Sequence, residues 1–152
     1  EVRVLRFDAL PALPDVPLVD ALSQAANLTL EQTLQLFSLS GLNDAFVMLR
    51  KPGELSDGQR YRLRLAQTMA LASQACDERL CVVLADEFGA TLDRITAQVI
   101  ARNVRKWTRR EANLCFIAAT THDDLLEALE PDVLIEKHLG EGIGVLTREA
   151  TR

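Results

Sequence analysis

Two uninterrupted apolar runs, LCVVLA at 80–85 and LCFIAAT at 114–120, constrain what this chain can fold into more than any other feature. Neither alternates apolar with polar residues, so each is expected to be a strand buried on both faces of a sheet. Between them TAQVIARNVRKWTRR, 96–110, has a helical pattern. Strand, helix and strand in succession argue for a parallel α/β sheet. Downstream, DDLLEALE is expected as a short helix ended by Pro131, and DVLIEK and IGVLTRE as two closing strands around a turn in HLGEGIG.

The first half has a different character. Pro11, Pro14 and Pro17 argue against a long helix near the start, although EVRVLRF alternates and can form a short strand. Helical pattern runs from Leu18 to Ala26. Thr29 with Gln32 makes a capping box before LEQTLQLFSLS, and Gly41 is the expected stop. DAFVMLR supplies one or two more turns. Pro52 and Gly53 then break the chain before a helix over 59–74, with Leu63, Leu65, Met69 and Leu71 among its apolar positions. The expected organisation is a helical subdomain at 1–75 and an α/β portion at 76–152.

At 152 residues and 48% hydrophobic content the chain can build a sizeable core. Its net charge of −5 excludes a generic polyanion-binding surface. The basic run Arg105, Lys106, Arg109, Arg110 sits at a helix C-terminus, where positive charge is favourable anyway, so it is read as a solvated helix end and not as a nucleic-acid patch. No apolar run approaches the roughly 20 residues of a membrane helix. Cys76, Cys81 and Cys115 form no CxxC pair and are read as reduced core residues of a cytoplasmic protein.

Three places carry chemistry. Asp86 and Glu87 end an apolar strand, where open α/β sheets bind ligands. One acid there can hold Mg²⁺ and its neighbour can orient or deprotonate a water, or both can be plain solvated acids. His122 closes the next strand and would share that sheet edge, either as a donor to phosphate or as a surface cap. Ser56, Asp57, Gly58 and Gln59 stand at the mouth of a helix, whose free N–H groups favour an anion; the plain alternative is an ordinary N-cap.

Taken in order, LSDGQ (55–59), LCVVLADE (80–87), ATLD (90–93) and TTHD (120–123) resemble the signature motif, Walker B strand, D-loop and switch-histidine loop of ABC-type ATPases. Apart from a modest insertion near SQACDER, the spacing fits too, and the likeness covers essentially the whole chain. Within that family it is most similar to a cytosolic, non-transport group in which the ATPase is fused to a predicted acetyltransferase domain. Phe88 after the glutamate and the ending EPDVLIEK carry most of that finer likeness.

The resemblance implies a P-loop NTPase-like parallel sheet with an N-terminal helical subdomain. It implies Asp86 as the Mg²⁺-associated acid, Glu87 as general base and His122 as a γ-phosphate contact. Asp93 would act across a dimer interface, and Ser56, Gly58 and Gln59 would bind the γ-phosphate of ATP held by a second, head-to-tail subunit. Asp57 departs from the family's usual glycine. A carboxylate 4 Å from a triphosphate charge costs of order 1–4 kcal/mol, unless the side chain turns away to cap the helix. Arg60, Arg62 and Arg64 could offset it but are read as a solvated face.

None of the glycines begins a GxxxxGK[ST] phosphate loop, and the glutamine loop and adenine-stacking aromatic are not identifiable. With Glu1 and not methionine first, the chain is expected to be the C-terminal part of a longer ATPase whose Walker A half lies upstream. A transporter's nucleotide-binding subunit, a DNA-repair-type ATPase and a non-catalytic interaction module are the alternative readings.

Overall fold

A computed structural model describes residues 1–76, 79–137, 140 and 142–148. Three strands, β1 (Arg3–Arg6), β2 (Cys81–Ala85) and β3 (Leu114–Ala118), form a parallel sheet in that order. The register aligns Leu5 with Val83 and Val83 with Phe116 across the sheet. A separate antiparallel pair, β4 (Val133–Lys137) and β5 (Ile143–Thr147), follows, so the two closing strands are present; part of the turn between them lies outside the described residues.

The helices are α1 (Leu18–Ala26), α2 (Leu30–Ser40), α3 (Ala45–Met48), α4 (Asp57–Cys76), α5 (Arg94–Thr108) and α6 (Leu126–Leu129). Thr29 and Gln32 form the reciprocal capping box at the start of α2. Gly41 ends it at φ 79°, a left-handed conformation that glycine adopts without a Cβ penalty. Arg62 then donates from its guanidinium to the carbonyls of Gly41 and Gly58, at 2.9 and 3.1 Å. Arg62 is therefore a half-buried clamp between α2 and α4, not part of a solvated face.

Long α4 joins two cores. Tyr61, Leu65, Met69, Ala72 and Cys76, three or four positions apart, share one face and pack with Leu5, Val83 and Ile100. Leu63, Ala66 and Ala70 face the other way, toward Leu18, Phe37 and Leu42. Each fully buried Leu or Phe contributes roughly 1.5–3 kcal/mol. β1 pairs with β2, and α4 contributes to both cores.

The expectation of strands buried on both faces fails. The buried residues of α4, α5 and α6 cluster on the Leu5–Val83–Phe116 side. On the opposite side Val4, Leu84 (37% exposed) and Ile117 (51%) face solvent. Cys115 shares that side and is exposed, so it is not a core residue; Cys76 and Cys81 are buried, and none of the three is in a disulfide. The basic run is also not simply solvated. Arg105 forms a two-pronged pair with Asp132 at 2.6 and 2.7 Å, and Arg109 pairs with Glu130 at 2.8 Å, fastening α5 to the segment that leads into β4. No helix among the described residues is long and apolar enough to cross a membrane.

Candidate functional site

The β2–β3 register sets Ala85 beside Ala118 at the carboxyl ends of both strands. The pairing continues past them: Ala119 N–H donates to the Ala85 carbonyl at 2.9 Å, and Phe88 N–H to the Ala119 carbonyl at 2.8 Å. Asp86 and Glu87 are thereby held at the edge from which the chain runs on to His122. Asp86 Oδ1 accepts the Glu87 N–H at 3.0 Å, and both acids are exposed. Glu87 has φ 50°, a left-handed conformation that costs a residue bearing a Cβ roughly 1–2 kcal/mol. His122 is half-buried; its N–H donates to Thr120 Oγ1 at 3.2 Å.

What holds this loop lies underneath it. Phe88 is 1% exposed, edge-on to Phe116 at 5.8 Å and to Tyr61 at 6.4 Å. Gly89 has φ 78°, and a Cβ there would sit 3.2 Å from Leu125 Cδ1. Its N–H donates to Tyr61 Oη at 2.9 Å. Burial pushes the Tyr61 phenol up to about 12, against the opposing pull of the Gly89 N–H.

The helix mouth is built as a capping box. Gln59 N–H donates to Ser56 Oγ at 3.3 Å, and Ser56 N–H donates to Gln59 Oε1 at 3.1 Å. Asp57 is exposed and lies 3.6 Å from the Arg60 guanidinium, which also donates to the Leu55 carbonyl at 3.0 Å. Arg60 is exposed, as the solvated reading expects, and at this distance it also offsets part of the Asp57 charge. A Cβ on Gly58 would meet Leu92 Cδ2 and the Thr91 carbonyl, each at 3.7 Å, so the mouth lies against the 91–92 stretch.

Asp93 caps α5, accepting the Thr96 N–H at 2.9 Å. Hydrogen bonds from the Thr96 side chain and backbone hold its carboxyl below the usual carboxylate range. Next to it, Arg94 Nε donates to Asp124 Oδ2 at 3.0 Å, tying the start of α5 to the turn after His122. Contacts thus link the motifs in series, the helix mouth to 91–92, the start of α5 to Asp124, and Phe88 to Ala119. No hydrogen bond or ion pair among the described residues joins Ser56–Gln59 to Asp86, Glu87 or His122.

The sequence does not indicate the roles of Tyr61, of Arg62 as a clamp, or of the Arg94–Asp124 pair. Only Tyr61 left a signal: it is the single tyrosine and lies on a buried helix face, and a buried phenol needs a hydrogen-bond partner.

Neither a protein-family model nor a curated protein matches the chain. Solved structures do. The ATP-binding cassette MJ0796, in a dimeric post-hydrolysis state bound to ADP and Pi, is 18% identical with a TM-score of 0.63, over 88% of this chain and 57% of that one. A second dimeric structure of MJ0796, a bacterial ABC transporter cassette, gives 18% identity and 0.60 over 85% and 54%. CbiO1 from Clostridium perfringens, part of the transporter complex cbiONQ, gives 16% and 0.57 over 88% and 52%. The chain spans a little over half the length of each, and at such identities the likeness establishes the fold: this α/β chain is built like part of an ABC ATPase cassette.

Proposed function

We propose that this chain is the C-terminal portion of an ABC-type ATPase that binds and hydrolyses ATP as a head-to-tail dimer. One observation supports the reading: Asp86, Glu87 and His122 lie at one sheet edge, and the Ser56–Gln59 helix mouth is set against residues 91–92, just before Asp93. In this reading Glu87 orients and deprotonates the attacking water, and His122 donates to the γ-phosphate. Ser56, Asp57, Gly58 and Gln59 meet ATP held by the second subunit, and Asp93 works across the interface.

Mg²⁺ takes one or two carboxylates and fills its remaining positions with water and phosphate oxygens. A single exposed carboxylate, Asp86, suits that demand. No cluster of three ligating side chains exists among the described residues, so the nucleotide's oxygens would complete the set. Bound there, Mg²⁺ would neutralise charge on the transferring phosphate.

The missing parts fit the same reading. No phosphate loop occurs in the sequence. β1 is a guarded edge that begins and ends with an arginine, Arg3 and Arg6, whereas β3, LCFIA, carries no charge although it also ends the sheet among the described residues. An apolar, uncharged edge strand is the kind that proteins keep paired. We assign its neighbour, and the phosphate loop, to residues outside this chain. We further place the protein in the cytosolic, non-transport group fused to an acetyltransferase domain, on Phe88 and EPDVLIEK. The sequence upstream tests this: a fused acetyltransferase supports it, and a partner permease instead would favour a transporter subunit.

The residue-level test is Glu87→Gln in the intact protein. Turnover should fall by about 10²–10⁴-fold while ATP stays bound. Undiminished turnover would remove Glu87 from the base role.

A further inference from the structure

Three consecutive amides of the loop after β2 each have a partner, one within the loop and two outside it. Glu87 N–H is held by Asp86 Oδ1, Phe88 N–H by the Ala119 carbonyl, and Gly89 N–H by Tyr61 Oη. Only the last anchor comes from α4, the helix whose first turn carries Asp57, Gly58 and Gln59. The bond spans 28 positions of sequence and is buried. The residues it restrains, Glu87 and Gly89, both have positive φ.

We propose that Tyr61 is a positioning residue: its hydroxyl holds the Glu87–Gly89 loop in its left-handed path and so fixes the Glu87 carboxylate relative to the Ser56–Gln59 helix mouth. The ring fills core space between Phe7, at 4.9 Å, and Phe88, at 6.4 Å. A phenylalanine would fill that space equally well, so the hydroxyl's distinct contribution is the bond to Gly89. Without it a buried N–H is left unpaired next to a strained residue, and the loop gains freedom to relax toward ordinary backbone. The pairing also couples two regions that the sequence keeps apart: a displacement of α4 moves the Gly89 amide, and through Phe88 the base-bearing residue. In one direction this transmits engagement of the helix mouth to Glu87.

The kinetic consequence rests on the ATPase reading; the tether does not, so the test has two arms. In this chain, Tyr61→Phe should speed hydrogen exchange at the Gly89 amide by about three- to tenfold, leaving amides of Val83 and Leu65 unchanged. A Gly89 amide equally protected in both forms overturns the tether. In the intact protein, Tyr61→Phe should lower kcat for ATP roughly tenfold with KM within about twofold. Ile100→Val, which loosens the same core, should leave kcat unchanged. If wild type turns over ATP and Tyr61→Phe matches it, or if Ile100→Val lowers kcat as much, the positioning role is overturned. If wild type shows no turnover at all, the ATPase reading falls, and the exchange arm alone decides the tether.

Discussion

At the Ser56–Gln59 helix mouth each polar side chain is met by a group from the same turn: Ser56 and Gln59 bond reciprocally, and Asp57 faces Arg60. The Asp86–Gly89 loop is the reverse. Its backbone sits at positive φ twice, and two of its restraints come from outside it, from Ala119 just past β3 and from Tyr61 of α4. The mouth is locally determined and would keep its shape on any stable helix. The loop exists only because the tertiary structure over-determines it, which is where strained backbone persists in proteins. If the ATPase reading holds, the stiff local element grips a phosphate and the strained one carries the chemistry.

The largest effect that could break this contrast is expected from Gly89→Ala. The φ of 78° and the 3.2 Å approach to Leu125 Cδ1 should together cost about 2 kcal/mol, a fall of roughly 4–8 °C in Tm by calorimetry. A neutral substitution would mean that the loop relaxes freely. Ser56→Ala should cost about 1 kcal/mol through the lost cap, measurable as a shifted urea midpoint at constant slope. Because Tyr61 ties α4 to the loop, a frayed first turn should also lower the Gly89 amide's protection slightly; unchanged protection would show that the mouth and the loop are not coupled. Smallest is Glu87→Gly, which should raise stability by about 0.5–1 kcal/mol as the left-handed penalty disappears. A loss of stability there would refute strain at Glu87.

How much of this was legible beforehand follows the same divide. The Thr29–Gln32 box, the Gly41 stop and the two apolar strands were readable because each is encoded within a few residues. The open face of the sheet was not: an apolar run does not reveal whether one or two layers cover it, and Leu84 and Ile117 are exposed. Arg62 looked like one of three solvated arginines because its partner, Gly41, is 21 positions away. Arg105 and Arg109 looked free because Asp132 and Glu130 lie beyond β3 in sequence. The site residues were placed by their order along the chain, but Glu87's conformation and its support by Tyr61 depend on contacts that no local pattern encodes.

The central claim is that this chain carries part of a nucleotide site and not all of it. Isothermal titration of MgATP into the isolated chain tests that most directly. Binding should be no tighter than about the millimolar range, since a phosphate loop supplies the backbone cradle and lysine that this sequence lacks. Micromolar binding by the chain alone would contradict it.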